Sequence, residues 1–187
     1  MPPKLLAGVL AMVGHASHMH DKLKRADEAH KEALEIYHQL GDKRNEADML
    51  RCVATRDPDG EAHIRMDMQA LDLATEAGDR FLIAAINGNL STSLHVLDRV
   101  PEALEALKRG TEAAEGGLEH CVVHLFANLA ALQFATGAVE QSLMTYRSIL
   151  PVAREFSTIL LPIICLELAD AFTQLGRYDE ALEQYHE

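Results

Sequence analysis

The chain has 187 residues, of which 48% are hydrophobic and 5% aromatic, and it contains no tryptophan. This length suits one domain or a short repeat array, and the apolar content excludes a disordered or collagen-like chain. The formal net charge is −12, and most of the acidic excess follows residue 57. Because phosphate binding depends on Lys and Arg, this balance argues against nucleic acid and anionic membranes as partners. It favours a basic protein or peptide.

The three cysteines indicate a reducing environment. Cys52, Cys121 and Cys165 are widely spaced, odd in number and form no CxxC motif. This pattern argues against a disulfide scaffold or a zinc finger. We therefore expect a cytoplasmic protein in which the cysteines serve as small buried hydrophobic residues.

The N-terminal segment allows two interpretations. Residues 5–16 begin with an apolar run after Lys4 and continue with small residues. The run has the length of a weak secretory signal, but its apolar residues between Leu6 and Val13 also share one side of a helix. No stretch reaches the roughly 18 apolar residues that a membrane span requires, so we expect no membrane partner.

Apolar residues recur at spacings of three and four residues along the chain, as in Leu125, Leu129 and Leu132. This period predicts amphipathic helices, and the Gly, Pro and Asp residues between the periodic segments mark turns. No stretch alternates apolar and polar residues as a strand would. The predicted helices lie near residues 4–19, 22–40, 43–56, 61–77, 80–97, 100–115, 118–135, 138–155, 158–175 and 177–187.

The chain repeats itself at a spacing of about 39 residues. Leu90, Leu129 and Leu168 coincide at this spacing, and Gly78 and Gly117 lie 39 residues apart. A unit of two helices cannot bury its apolar face alone, so stacked units form one continuous core. We expect residues 1–187 to form a single helical repeat domain. Its units lie near residues 4–40, 43–77, 80–115, 118–155 and 158–187, the last one truncated.

The last unit carries the most specific motif, which reads Leu168-Ala169-x-x-Phe172-x-x-Leu175-Gly176-x-Tyr178-x-x-Ala181-Leu182-x-x-Tyr185. This run resembles the signature of the tetratricopeptide repeat (TPR) family. The spacing of about 39 residues departs from that family's period of about 34. In its longer repeats and Gly-Asp turns the chain is similar to repeats of large bacterial regulators and signalling scaffolds.

The resemblance implies an all-α fold, a right-handed α-solenoid of about ten helices in antiparallel pairs. It places small residues such as Ala169 and Ala181 where paired helices approach closely, and it uses Phe172 and Tyr185 to fill the space between them. The first helix of each pair lines a concave groove. The implied function is a protein–protein interaction scaffold that binds a peptide or protein partner there. The alternative is a sensor or self-association domain of a larger bacterial signalling or transcription regulator.

Matching the units assigns seven candidate partner-binding residues to the groove, namely Asn89, Thr92, His95, His124, Asn128, Glu167 and Asp170. An Asn side chain offers both a donor and an acceptor, so Asn89 and Asn128 are expected to hold the amides of an extended peptide. The other five would select its side chains. The alternative is that these Asn residues are solvated repeat positions without a role.

The charges at the matched groove positions favour a partner that carries Lys or Arg. Glu167 and Asp170 would repel a carboxylate, and the three matched units supply no Lys or Arg there. Chaperone-binding members of the TPR family clamp a C-terminal carboxylate with such cations, so this chain is not expected to bind carboxylate tails.

Nothing in the sequence predicts a cofactor, a metal or catalysis. His120 and His124 lie one helical turn apart and could face one ion, but no third ligand is evident. No nucleophile elbow, phosphate-binding loop or dinucleotide motif occurs.

The last unit stops inside its second helix, at Glu187. We expect either a fragment of a longer protein or a homo-oligomer that pairs through the terminal repeat faces.

Overall fold

The computed structural model describes residues 1–20, 22–55, 59–116, 119–156 and 160–185. Within these ranges the chain forms ten α-helices and no strand. The helices are α1 (Pro3–Met19), α2 (Leu23–Leu40), α3 (Lys43–Ala54), α4 (Gly60–Ala77), α5 (Arg80–Val96), α6 (Val100–Ala114), α7 (Glu119–Ala135), α8 (Val139–Phe156), α9 (Leu160–Gln174) and α10 (Tyr178–Tyr185). Every predicted helix is confirmed, and the described ends lie within two residues of the prediction. The predicted ends at residues 56, 118, 158 and 187 lie outside the described residues.

Gly-Asp pairs separate the first helix pairs because each residue satisfies a different helix end. Gly41 follows α2 with φ +64°, a left-handed conformation that glycine adopts without strain, and Gly78 follows α4 with φ +67°. Asp42 and Asp79 then cap the next helices, since their carboxylates accept hydrogen bonds from the backbone N–H groups three residues later. These local signals account for the accurate ends of α2 and α4 and the accurate starts of α3 and α5.

Consecutive helices pack as pairs, α1 with α2, α3 with α4 and so on to α9 with α10. Among the described residues, the odd-numbered helices also contact one another across the pairs, α3 with α5, α5 with α7 and α7 with α9. No comparable contacts link the even-numbered helices in the described part of the chain. The odd row therefore has the closer spacing and lies on the concave side of the solenoid. We call the face formed by α1, α3, α5, α7 and α9 the groove.

The core confirms the role expected for three of the four motif residues. Ala169 and Ala181 are buried where α9 and α10 approach, and Phe172 is 2% exposed. The expectation that Tyr185 fills the space between the paired helices is wrong, because this residue is 51% exposed. It lies at the edge of the helix pair, where its hydroxyl donates a hydrogen bond to Asp170 Oδ1 at 2.9 Å.

The segment from Pro3 to Met19 is helical, as one of the two interpretations of the N-terminal run predicts. No helix in the described ranges combines the length and the apolar character needed to cross a membrane.

Candidate functional site

Asn128 holds α7 against α5 in the middle of the groove. Its Nδ2 donates to the carbonyl oxygen of Gly88 at 3.0 Å, to Thr92 Oγ1 at 3.1 Å and to Ser91 Oγ at 3.3 Å. The structure thus brings together two predicted site residues, Asn128 and Thr92. It also changes the role expected for Asn128, because these bonds occupy the amide nitrogen and leave Oδ1 as the group that can face a ligand.

Asn89 occupies the matched position on α5 but uses its amide differently. The residue is half-buried, and its Nδ2 is buried without a hydrogen-bond acceptor among the described residues. A buried amide donor that makes no hydrogen bond is costly, since it has lost its water. The two Asn residues are therefore not equivalent, because the Asn89 donor is buried and makes no hydrogen bond among the described residues.

His124 rests on Gly88, where the absence of a side chain makes room for its ring. A Cβ atom at position 88 would lie 3.0 Å from His124 Nδ1. Burial lowers the pKa of His124, and the positive charge of Arg51 lowers it further. Both effects favour the neutral imidazole. His95 lies in the last turn of α5 and is half-buried.

Glu167 and Asp170 form an acidic pair one helical turn apart on α9. Burial raises the pKa of Glu167, and the neighbouring charge of Asp170 raises it further. Asp170 is exposed and accepts the hydrogen bond from Tyr185. In the described part of the chain, no Lys, Arg or His forms an ion pair with either carboxylate. Among the described residues, the pair is thus a concentration of negative charge that no ion pair neutralises.

Arg51 on α3 is a groove residue that the comparison of three units missed. Its Nη2 donates to Asp48 Oδ1 at 2.7 Å, and its charge acts on His124 two odd helices away. The spacing of 37 residues between Gly41 and Gly78 was the available signal, because the same offset places residue 51 opposite residue 88. The groove therefore carries a cation in its α3 segment and, on α9, two carboxylates that form no ion pair within the described ranges.

A buried polar chain lies between α4 and α5, beneath this cation. Ser93 Oγ is 3.2 Å from His63 Nδ1, and His63 Nε2 is 3.1 Å from Asp67 Oδ2. Asp67 is fully buried, which raises its pKa to about 7, while the charge of Arg51 opposes that rise. The order Ser–His–Asp is that of a hydrolase triad. Ser93, however, is buried, and its hydroxyl donates a hydrogen bond to Asn89 O, so it is not exposed to a substrate. The three side chains therefore form a buried structural network.

The pair of His120 and His124, considered as a metal site, is not tested, because the side chain of His120 lies outside the described residues.

A separate cleft of about 260 Å³ lies away from the groove, between α4, α5 and α6. It is shallow and smaller than most ligand pockets, which measure about 300–1,000 Å³. Its charged rim consists of Asp72, Arg99, Glu102, Glu105 and Arg109.

No protein-family model matches the sequence, and no curated protein matches it either. Solved structures do resemble it. A Rap protein complexed with Competence and Sporulation Factor matches 100% of the chain with a TM-score of 0.86 and 17% identity, over 54% of its own length. The Rap conjugation gene regulator of the plasmid pLS20, in complex with the Phr* peptide, matches 95% with a TM-score of 0.77 and 13% identity, over 50% of its length. The TPR-like repeats of a putative kinesin light chain from Podosopora anserina match 100% with a TM-score of 0.68 and 14% identity, over 93% of that chain.

These similarities establish the fold. The chain is an all-α solenoid of the TPR type, as the motif in its last unit implied. It spans about half the length of the two Rap structures. At these levels of identity the likeness concerns the fold alone.

Proposed function

We propose that the chain is a protein-interaction module whose groove binds an extended peptide segment carrying Lys or Arg. The observation that carries this proposal is the Glu167–Asp170 pair. A half-buried carboxylate next to a second carboxylate is destabilised by its own charge. A cationic side chain bound between them would relieve this repulsion, and the gain would appear as binding energy.

Helices α5 and α7 supply the contacts to the peptide backbone, through Asn89 and Asn128. Asn89 has an unused, buried donor, which would reach a peptide carbonyl after rotation of the side chain into the groove, and Asn128 Oδ1 would accept from a peptide N–H. Thr92, His95 and His124 would contact side chains between these points. Odd helices that pack about 10 Å apart place α5 and α9 roughly 20 Å apart. An extended peptide covers that distance in about six residues, so the basic residue would lie about six positions from the residue held by Asn89.

The comparisons supply independent support. Two of the matching Rap structures are complexes, one with Competence and Sporulation Factor and one with the Phr* peptide. Proteins with a similar fold are therefore found in complex with such partners. We propose no catalytic role and no nucleic-acid or membrane partner for this chain, and we place its activity in the cytoplasm.

The test uses two pools of random peptides of about 12 residues, long enough to cross the odd helices. One pool has Arg fixed at its seventh position and the other has Glu there. We expect the Arg pool to bind at least about tenfold more tightly, and we expect that preference to weaken as salt rises. The double variant Glu167→Gln/Asp170→Asn should lose the preference.

The matched control is Glu32→Gln/Glu35→Gln on α2, which changes the net charge equally at two exposed carboxylates with the same spacing. This control should retain the preference for Arg. Equal binding of the two pools by the unaltered chain, or equal loss in both double variants, would overturn the proposal.

A second candidate is a self-association domain of a larger regulator. Leu5, Val9 and Met12 share one exposed face of α1, and Leu182 of α10 is 55% exposed. Such apolar faces at both ends of a solenoid are suited to pairing of copies. We expect sedimentation velocity to show a fraction of dimer that increases with protein concentration. The double variant Leu5→Ser/Met12→Ser should remain monomeric. A chain that stays monomeric at all concentrations would contradict this candidate.

A further inference from the structure

Three side chains with metal-ligating atoms meet at the α1 end of the groove. They are His15 on α1, His30 on α2 and Cys52 on α3. One imidazole nitrogen from each histidine and the cysteine sulfur all lie within 4.8 Å of one another. Each ligand comes from a different helix, so the arrangement depends on the packing of the first three helices.

The packing holds this cluster in place from one side and leaves it open on the other. His30 is fully buried and its ring lies against Gly14, at a point where a Cβ atom would be 2.3 Å away. Cys52 is 7% exposed. The His15 ring packs against that of His30 in a tilted arrangement, with a centroid distance of 4.8 Å and an interplanar angle of 60°. The His15 side chain is half-exposed, which leaves the cluster accessible from solvent.

We propose that His15, His30 and Cys52 bind one Zn²⁺ ion, with water as the fourth ligand on the solvent side. Two imidazoles and one thiolate are ligands that zinc prefers, in a tetrahedral arrangement. Bond lengths of about 2.0–2.3 Å separate the ligand atoms of such a site by roughly 3.3–3.6 Å. The atoms therefore need to approach by at most on the order of 1 Å: rotation of the exposed His15 side chain would bring its nitrogen closer, and small χ changes of His30 and Cys52 would close the distance between those two ligands.

The neighbouring charges support the binding forms of the ligands. Arg51 Nη2 lies 3.7 Å from Cys52 Sγ, and a guanidinium at that position favours the thiolate that binds the metal. Asp48 Oδ2 lies 3.9 Å from His15 Nε2, where a carboxylate can orient a ligating imidazole. Asp48 also pairs with Arg51 at 2.7 Å, so the guanidinium does not add an unbalanced positive charge.

No sequence motif predicts this site, because its three ligands are far apart along the chain. His15, His30 and Cys52 are 15 and 22 residues apart along the chain. Known zinc patterns place two ligands within one turn or one loop. Here the superhelix, and not the local spacing, brings the ligands together.

The test titrates Co²⁺, a spectroscopic substitute for Zn²⁺, into the full chain prepared without an affinity tag. We expect one equivalent to bind, with a near-ultraviolet thiolate-to-cobalt band and visible bands of tetrahedral cobalt, and we expect Zn²⁺ to displace it. Cys52→Ser should remove the thiolate band. His15→Ala, a change at an exposed position, should weaken Zn²⁺ binding by at least about tenfold with helicity unchanged. Zn²⁺ should also raise the Tm of the unaltered chain more than that of His15→Ala.

The matched controls are His18→Ala, another exposed histidine on α1, and Cys165→Ser, another buried thiol. Both should bind the metal as the unaltered chain does. Three results would overturn the proposal: no thiolate band with excess Co²⁺, a band that persists in Cys52→Ser, or equal weakening of Zn²⁺ binding in His15→Ala and His18→Ala.

Discussion

A Cβ atom on Gly14 of α1 would lie 2.3 Å from the imidazole ring of His30 on α2. His30 is fully buried, so its ring cannot move aside into solvent. The two helices therefore approach each other at a position where only glycine fits. Gly8 lies in the same helix but has open space, since the nearest atom to its Cβ would be Tyr37 Oη at 3.8 Å.

This contrast predicts opposite effects for the same substitution at the two glycines. Gly14→Ala should lower the free energy of unfolding by about 1–3 kcal/mol, because overpacking outweighs the better helix propensity of alanine. Gly8→Ala should raise it by about 0.5–1 kcal/mol, because there propensity acts alone. Urea unfolding of both variants measures the difference. Equal stability of the two variants would show that the His30 ring does not confine Gly14.

The stability of the protein should depend on pH through Asp67. Burial raises its pKa from 3.8 to about 7 in the folded state, so the native protein holds this proton more tightly than the unfolded chain. The stability that Asp67 contributes is therefore fully present below about pH 4, and it is lost as the pH rises through 7.

Asp67→Asn keeps the shape of the side chain and removes the charge. We expect it to raise the free energy of unfolding by on the order of 2–4 kcal/mol at pH 8 and to change little at pH 4. Urea unfolding at both pH values measures this. Asp72→Asn, at an exposed position of the same helix, should have little effect at either pH. A gain of equal size at pH 4 and pH 8 would contradict the explanation.

The two groove asparagines should separate stability from binding. Asn128→Ala removes the hydrogen bonds that join α7 to α5, and it should cost about 1–2 kcal/mol of unfolding free energy. Asn89→Ala removes an amide whose donor is unused, so its cost should be less than about 0.5 kcal/mol. In the peptide-pool assay Asn89→Ala should nevertheless bind more weakly than the unaltered chain. Equal losses of stability would mean that the two residues are equivalent after all.

Glu167 should show a conflict between stability and binding. Because burial and Asp170 raise its pKa, the folded state favours the neutral acid, and the stability it contributes falls as pH rises above its ordinary value of 4.5. Glu167→Gln should therefore raise the free energy of unfolding at pH 7 by up to about 1 kcal/mol while weakening the binding of Arg peptides. Glu32→Gln, an exposed change on α2, should alter neither quantity. A less stable Glu167→Gln variant would indicate a cation partner within the chain.

Much of the candidate site followed from matching the repeats, but its chemistry did not. The matching correctly assigned Asn89, Asn128 and Glu167 to odd helices. It could not show that Asn128 Nδ2 donates a hydrogen bond to the carbonyl oxygen of Gly88, because that bond joins residues 40 positions apart. It also missed Arg51, which lies in a unit whose offset is 37 residues and not 39.

The helices, their order and the TPR type of the array could be predicted from the amino-acid sequence. Those features depend on short-range signals: apolar spacing within a helix, the left-handed glycine at its end and the aspartate that caps the next one. The tertiary structure alone decided which polar groups meet. It placed Tyr185 at an exposed edge, set His30 against Gly14, and brought His15 and Cys52 to the same point. Such contacts depend on the separation and rotation of stacked helices, which the side chains of the whole core determine together.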